Sequence, residues 1–462
     1  MDIDAALADA DIAVLWLDRA DRPPPRAPLA RDRRADLAVV GGGFTGLWAA
    51  ILAKQRNPHL DVVLLEADLL GAGGSGRNGG FLSESLTHGL AHGVVRWPGE
   101  LARLVALGRQ NLQEIGEFVR AEGIDADLRL CGRTSVATRP HEVGELSDEA
   151  ELYREHGMAA RFLGAGGMRA DVASPTYRAG LRLPDAGGLV DPARLLWGLA
   201  AAAERLGVRL HENTPVRGLR RDRTGVRLRT PHGTVRAAGV VLGTSAFPAP
   251  LRSIRRYVLP IWDYVLVTEP LSEQQWASLR WRDRQGITDS GNHFHYYRPT
   301  PDGRILWGGH EPVYHFGGRT AAELARCDRA HRRLARHFFA TFPQLEGVRF
   351  THRWGGPIDS TTRFTPLFGC DRAVAYAVGY TGLGVAASRF GANTVLDLLW
   401  GEDTERTRLA MVRDRPVPFP PEPLRWPLVR YTTRALARAD EDGGRRGRWL
   451  SLLDRRGLGL GS

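Results

Sequence analysis

The chain has 462 residues, 43% apolar and 25% charged, an ordinary globular composition whose length suits about two or three domains. Its net charge of +11 is carried by arginine, with Lys54 as the single lysine; the arginines are scattered among acidic neighbours without a nucleic-acid-binding motif, so nucleic acid is not an expected partner. No apolar run approaches the ~20 residues of a membrane span, the acidic N-terminus does not read as a signal peptide, and Cys131, Cys327 and Cys370 lack disulfide or metal-site spacing, which points to a reducing, cytoplasmic setting.

In chain order, residues 1–34 read as an N-terminal arm, proline-rich and charged from residue 20. ADLAVVGG is strand-like, FTGLWAAILAKQ helix-like and VVLLEA strand-like again, a βαβ unit of about 30 residues. Residues 101–184 are helical and charged, and the GAGG at 164–167, with no strand before it and no acidic residue after it, reads as a turn. Asp191 and Pro192 supply an N-cap and first helical residue for ARLLWGLAAAAERLG, which stops at Gly207. Five strand-like runs follow: VRLHEN, VRGLRRD, GVRLRTP, GTVRAA and GVVLGTS. Residues 251–352 are rich in aromatics and strand formers, and AVAYAVGYTGLGVAASRFGANTVLDLLWG is strand, glycine loop, helix. One domain is therefore expected from 35–100, 185–250 and 353–404, and a second from 101–184 and 251–352. The basic tail 405–462 contains the helix-like WPLVRYTTRALARA, which could pack on the body, join a dimer or touch a membrane surface.

Gly41, Gly43 and Gly46 in GGGFTG fit the dinucleotide fingerprint, with Phe44 and Thr45 opening the helix. The first glycine allows a tight turn, the second close approach of a pyrophosphate, and the third helix–strand packing; the helix N-terminus offers N–H groups and a positive dipole. Glu66, followed by Ala67, ends the second strand where a carboxylate can accept from ribose hydroxyls. A second loop, Gly74, Ser75, Gly76, Arg77, Asn78, Gly79, Gly80 and Phe81, has little side chain and several backbone donors, and a third, Gly382, Leu383, Gly384 and Val385, starts another helix. No second fingerprint is present for a nicotinamide, so FAD is the expected cofactor.

These motifs resemble the D-amino-acid oxidase/glycine oxidase/sarcosine oxidase family of flavoproteins over roughly residues 12–402, and SGRNGG with the C-terminal motifs resembles its gamma-glutamylputrescine oxidase-like branch. GLVDP, HYYRPTPDGRILWGG, RWGGPID and GYTGLG carry the likeness further. The resemblance implies an α/β fold: a Rossmann-like (GR2-type) FAD-binding domain with a mixed β-sheet substrate domain. It implies that Val216 meets the adenine through its backbone, and that Thr244 and Ser245, beside Gly243, lie near the pyrophosphate. The implied reaction is hydride transfer from a carbon bearing nitrogen to flavin N5, giving an imine that hydrolyses, with oxygen or an electron carrier as acceptor.

Four departures from the family narrow that reading. Ile358 stands where an arginine often grips a substrate carboxylate, so a small amine without an α-carboxylate is expected, unless Arg298 or Arg363 compensates. Asn78 replaces a histidine that carries covalent flavin in some relatives, so FAD is expected to be non-covalent. Lys54 lies on the first helix and cannot act above a flavin, and Leu383 replaces a frequent histidine. Candidate pocket residues are His88, Trp262, Tyr264, Tyr296, Arg298, Trp354 and Tyr380, with Gly356 at the cofactor; Tyr296 and Arg298 share one strand face, opposite Tyr297. His293 and His295 have the spacing of a metal pair, but no carboxylate or cysteine cluster adjoins them in sequence, and no metal is expected. An amino-acid oxidase or a non-catalytic flavin-binding protein is the alternative.

Overall fold

The computed structural model describes residues 2–458; the expectations for Met1 and for residues 459–462 of the tail lie outside them. Five strands form a parallel core in the order Val374–Val378, Thr234–Leu242, Arg33–Val40, Val62–Leu65 and Arg209–His211. Strands buried on both faces need continuous apolar runs, and Val62, Val63, Leu64 and Leu65 are all buried. On one face, helix Phe44–Arg56 packs between Pro192–Arg205 and Gly384–Trp400. On the other, the antiparallel pair Gly218–Asp222 and Gly225–Arg229 extends from Thr234–Leu242. GTVRAA and GVVLGTS are thus a single nine-residue strand, not two. Gly239 does not break it; a Cβ there would lie 3.0 Å from Leu399, so the glycine admits the helix above.

A second, mixed eight-stranded sheet runs Phe350–Ser360, Leu259–Thr268, Ile305–Gly309, His295–Pro299, Gly286–Asp289, Arg133–Ala137, Ala179–Leu183, Arg161–Gly164. Its outer face packs on helix Asp328–Thr341 through Trp307, Tyr297, Phe338 and Phe342. The expected division at residue 353 cuts through strand Phe350–Ser360, which pairs with Leu259–Thr268 along its length. The division at 101 is also displaced. Helix Leu101–Ala121 buries Leu104, Leu112, Ile115 and Val119 in the core of the first sheet, because its apolar face meets Gly384–Trp400. The GAGG segment is not a simple turn: strand Arg161–Gly164 precedes it and helix Ala165–Asp171 follows.

The termini pack on this frame. Trp16 is buried in the first core, while Ala6, Leu7 and Ala10 join the second. In the tail, helix Arg425–Glu441 docks by its C-terminal end, where Asp440 accepts from the backbone N of Asn292 and His293; Leu424 and Tyr431 at its other end are exposed. No helix of the described residues is long and apolar enough to cross a membrane. The cysteines are free thiols.

Asp191 caps its helix as the sequence requires, accepting from Ala193 N and Arg194 N at 3.0 Å, and it pairs with Arg19 at 2.6 Å. Asp191→Ala removes the cap and leaves Arg19 short of its partner. A loss of about 2 kcal/mol, somewhat above an average cap, is expected in urea unfolding.

Candidate active site

The site begins at the turn after the first strand. Gly41 has φ +104°, and a Cβ there would lie 2.4 Å from the Gly243 carbonyl oxygen. At Gly46 a Cβ would fall 1.9 Å from Gly41 O, so helix and strand approach as only glycine permits. Gly43 is the N-cap and has no side chain to cap the helix; Ser75 Oγ of the second loop accepts from Phe44 N at 3.1 Å. Glu66, at the end of the second strand, accepts from Gly42 N at 2.6 Å and Asp68 N at 3.0 Å; desolvation raises its pKa despite these bonds. Ala67 beside it is exposed, and the segment leading to Val216 is fixed by Thr214 N donating to Glu66 O at 2.7 Å. Ser245 has φ +49°, and Thr244 Oγ1 is buried with no hydrogen-bond partner among the described residues.

The second loop winds through the short helix Gly74–Arg77, with Gly76 packed against Gly71. Asn78 Nδ2 donates to Gly74 O and Ser75 O, and its Oδ1 accepts from Gly80 N at 2.8 Å. Two buried indoles hold the outside of the loop: Trp354 Nε1 donates to Arg77 O and Trp16 Nε1 to Asn78 O, each at 2.9 Å. Arg77 reaches Gly355 O at 3.1 Å, and Gly356 leaves room for its stem. The third loop, with Gly382, Leu383, Gly384 and Val385 at the start of helix Gly384–Trp400, is tied to the first by a 3.1 Å hydrogen bond between Thr45 Oγ1 and Tyr380 OH. Asp359 fastens the same loop by accepting from Gly379 N at 2.6 Å; burial lifts its pKa to about 6, while bonds from Gly379, Tyr380 and Ser245 pull it back.

The face of the second sheet turned toward these loops carries Tyr296, Arg298 and Asp263. A Cβ on Gly79 would sit 2.6 Å from the Tyr296 ring, and Phe81 meets that ring edge-on at 5.8 Å. Tyr296 OH donates to Asp263 Oδ2 at 2.5 Å. Burial is the main influence on Asp263, lifting its pKa to about 6. Arg298 is fully buried and donates to Gly80 O and Val190 O.

Other candidates are placed differently. Tyr264 and Trp262 are corrected to the outer core: Asp263 between them faces the loops, so strand alternation turns both away. Tyr264 OH donates to Leu324 O, and Trp262 Nε1 to Arg319 O. Tyr380 and Trp354 are buried, with their polar atoms bonded to Thr45 and to Arg77 of the first and second loops. His88 has the ring neighbours Phe364 and His92, and burial first, then His92 and Arg133, lower its pKa to about 4. The sequence reading missed Asp263, Asp359 and Trp16. The lone carboxylate in the apolar run IWDYVLV was a usable signal for the first; nothing local marks Trp16. Surface clefts around Arg194 and around Trp276 are lined by none of the loop residues, so concavity alone does not mark the site.

A parallel sheet with a glycine turn at a helix N-terminus, a carboxylate ending the next strand and two further glycine loops defines a dinucleotide-cofactor oxidoreductase. Residues 36–398 match the family described as FAD dependent oxidoreductase, and the chain belongs to that family, with FAD as its cofactor. It shares 31% identity over 392 residues with gamma-glutamylputrescine oxidoreductase of Escherichia coli (strain K12), covering 84% of this chain and 88% of that protein. Glycine oxidase of Geobacillus kaustophilus (strain HTA426) is 27% identical over 385 residues, covering 80% and 94%. The crystal structure of glycine oxidase from Geobacillus kaustophilus has the same fold, with a TM-score of 0.71 at 22% identity over 83% of this chain and 100% of that one.

The cradle fits FAD on its own geometry: Cβ atoms at Gly41 and Gly46 are excluded by backbone, and the Thr244 hydroxyl is buried without a partner among the described residues. Gly41→Ala is expected to yield protein without bound flavin. Gly99→Ala, at an exposed position where a Cβ meets nothing, is expected to keep a full complement; the absorbance ratio of flavin to protein reads both.

Proposed function

We propose that this enzyme oxidises a small primary or secondary amine lacking an α-carboxylate, giving an imine that water hydrolyses. FAD, held non-covalently by the three glycine loops, supplies the acceptor for the hydride. The observation that supports this reading most directly is how the buried arginines are used. Arg298 commits Nε to Pro299 O and Nη1 to Gly80 O and Val190 O, and its Nη2, without a hydrogen bond among the described residues, faces Asp127 at 3.6 Å; Arg363 commits Nη1 to Asp414 O and Nη2 to Met411 O and Pro366 O; Arg77 serves Ala72 O and Gly355 O. None offers the planar fork that grips a carboxylate, and Ile358 supplies no charge at the position expected for one. An α-amino acid would have to strip its carboxylate of water without replacement. The Escherichia coli relative is named for gamma-glutamylputrescine, in keeping with an amine substrate.

Tyr296 and Asp263 form the complementary site. By donating to ionised Asp263, the phenol keeps an oxygen lone pair for an amine N–H. Desolvation between Phe81, Gly79 and Tyr296 favours the neutral amine that hydride loss requires.

An anaerobic titration tests the substrate class. Putrescine-type and N-methyl amines are expected to bleach the oxidised flavin, and glycine or alanine to require at least about tenfold more; bleaching by α-amino acids alone overturns the reading. Acid precipitation is expected to leave the flavin in the supernatant. Tyr296→Phe removes a charge-assisted bond of about 1.5–3 kcal/mol, so kcat/KM is expected to fall about 10- to 100-fold with flavin content unchanged.

The pKa of about 6 for Asp263 gives a pH signature. The acceptor form of the pair is lost as pH falls through about 6, so kcat/KM is expected to show an acid limb there that D263N abolishes. For stability the sign is opposite. The folded-state pKa lies above the ordinary 3.8, so the contribution of Asp263 is complete below 3.8 and is lost as pH rises through about 6.

A further inference from the structure

Behind Tyr296, on the face of the second sheet away from the glycine loops, four histidines meet. Strand alternation turns His295 outward where Tyr296 turns inward. His295 Nδ1 lies 2.5 Å from Asp289 Oδ2, and its Nε2 lies 2.9 Å from Nδ1 of His337 on helix Asp328–Thr341. The His337 ring stacks on His310 with centroids 4.4 Å apart. One ligand nitrogen from each of His295, His310 and His337 lies within 4.8 Å of the others. Nδ1 of His310 and Nε2 of neighbouring His293 are buried without a hydrogen-bond partner among the described residues. An unsatisfied buried nitrogen costs about 1–3 kcal/mol, so two at one place call for an occupant.

We propose that His295, His310 and His337 bind one divalent transition-metal ion, zinc being the best match, with Asp289 orienting His295. Three neutral imidazoles without thiolate or a carboxylate cage suit zinc and its late first-row neighbours rather than magnesium or calcium. Zn–N bonds of about 2.0–2.1 Å set ligand nitrogens roughly 3.3–3.4 Å apart in a tetrahedron. The widest separation must therefore close by roughly 1.5 Å and the 2.9 Å pair open slightly on binding. Asp289 holds one nitrogen of His295 and presents the other, the carboxylate–histidine arrangement that fixes tautomer and ring plane at such sites. Water completes the coordination. The sequence reading discounted His293 and His295 because no carboxylate adjoined them; folding brings in Asp289 from the neighbouring strand and two histidines from distant elements.

The ion is structural. It pins the His295–Pro299 strand, the turn after Ile305–Gly309 and helix Asp328–Thr341 to one point, and so fixes the backbone beneath Tyr296, whose ring covers Gly308. The sheet separates it from the loop face, so it does not touch the reacting atoms.

The test uses FAD-loaded protein, freed of any histidine tag and treated with chelator, titrated calorimetrically with Zn²⁺ and spectroscopically with Co²⁺. One equivalent per chain is expected, with a tetrahedral cobalt spectrum and a raised Tm. His310→Asn and His337→Asn, made separately, are each expected to weaken binding at least 100-fold while the flavin spectrum stays intact, which separates loss of ligation from loss of folding. Absence of stoichiometric binding, or binding unchanged in both folded variants, overturns the proposal.

Discussion

The structure rests on backbone brought closer than any side chain allows. The missing Cβ atoms of Gly41 and Gly46 mark where strand, turn, helix and the Gly243 loop meet. Once that contact is made, the rest of the cradle is fixed by hydrogen bonds from residues far away in sequence. Ser75 caps Phe44, Tyr380 meets Thr45, and Asp359 holds Gly379. Helix N-termini at Phe44 and Gly384 then stand beside glycine loops, where N–H groups and the positive ends of helix dipoles favour the negative charge of a pyrophosphate or a reduced flavin.

The second sheet divides its work between two faces. One presents Tyr296, Asp263 and Arg298 to the loops; the other packs Tyr264, Trp262, Tyr297 and Trp307 into a core against helix Asp328–Thr341. Burying Asp263 and Arg298 is costly unless they are paired: a phenol pairs the carboxylate, and backbone carbonyls hold the Nε and Nη1 of the guanidinium while Asp127 lies 3.6 Å from its Nη2. Arg298 is a brace for the Gly80 turn, and a substitution there acts through that turn.

The cofactor half was legible because glycine and helix signals are local. Gly41, Gly43, Gly46 and Glu66 sit at fixed offsets from a strand and a helix, and Asp191 and Pro192 announce a helix start whatever lies around them. The substrate half was less legible because it depends on which way a strand faces. Tyr264 and Tyr296 are both aromatic residues in apolar strands, yet one faces the core and the other the loops, and only the pairing of Asp263 with Gly356 sets the register. Gly239 misled in the other direction, since a glycine that admits a packed helix reads like one that ends a strand. The histidine cluster joins an i, i+2 pair to residues on other elements, a proximity that no spacing rule contains.

A crystal structure of the chain with its own purified flavin tests the central claim most directly. FAD is expected to extend from Glu66 across Gly41 and Gly43 to the Gly79 and Gly382 loops, with the ring facing Tyr296. A flavin bound elsewhere, or a ring whose substrate-facing side meets Tyr264 instead of Tyr296, contradicts it.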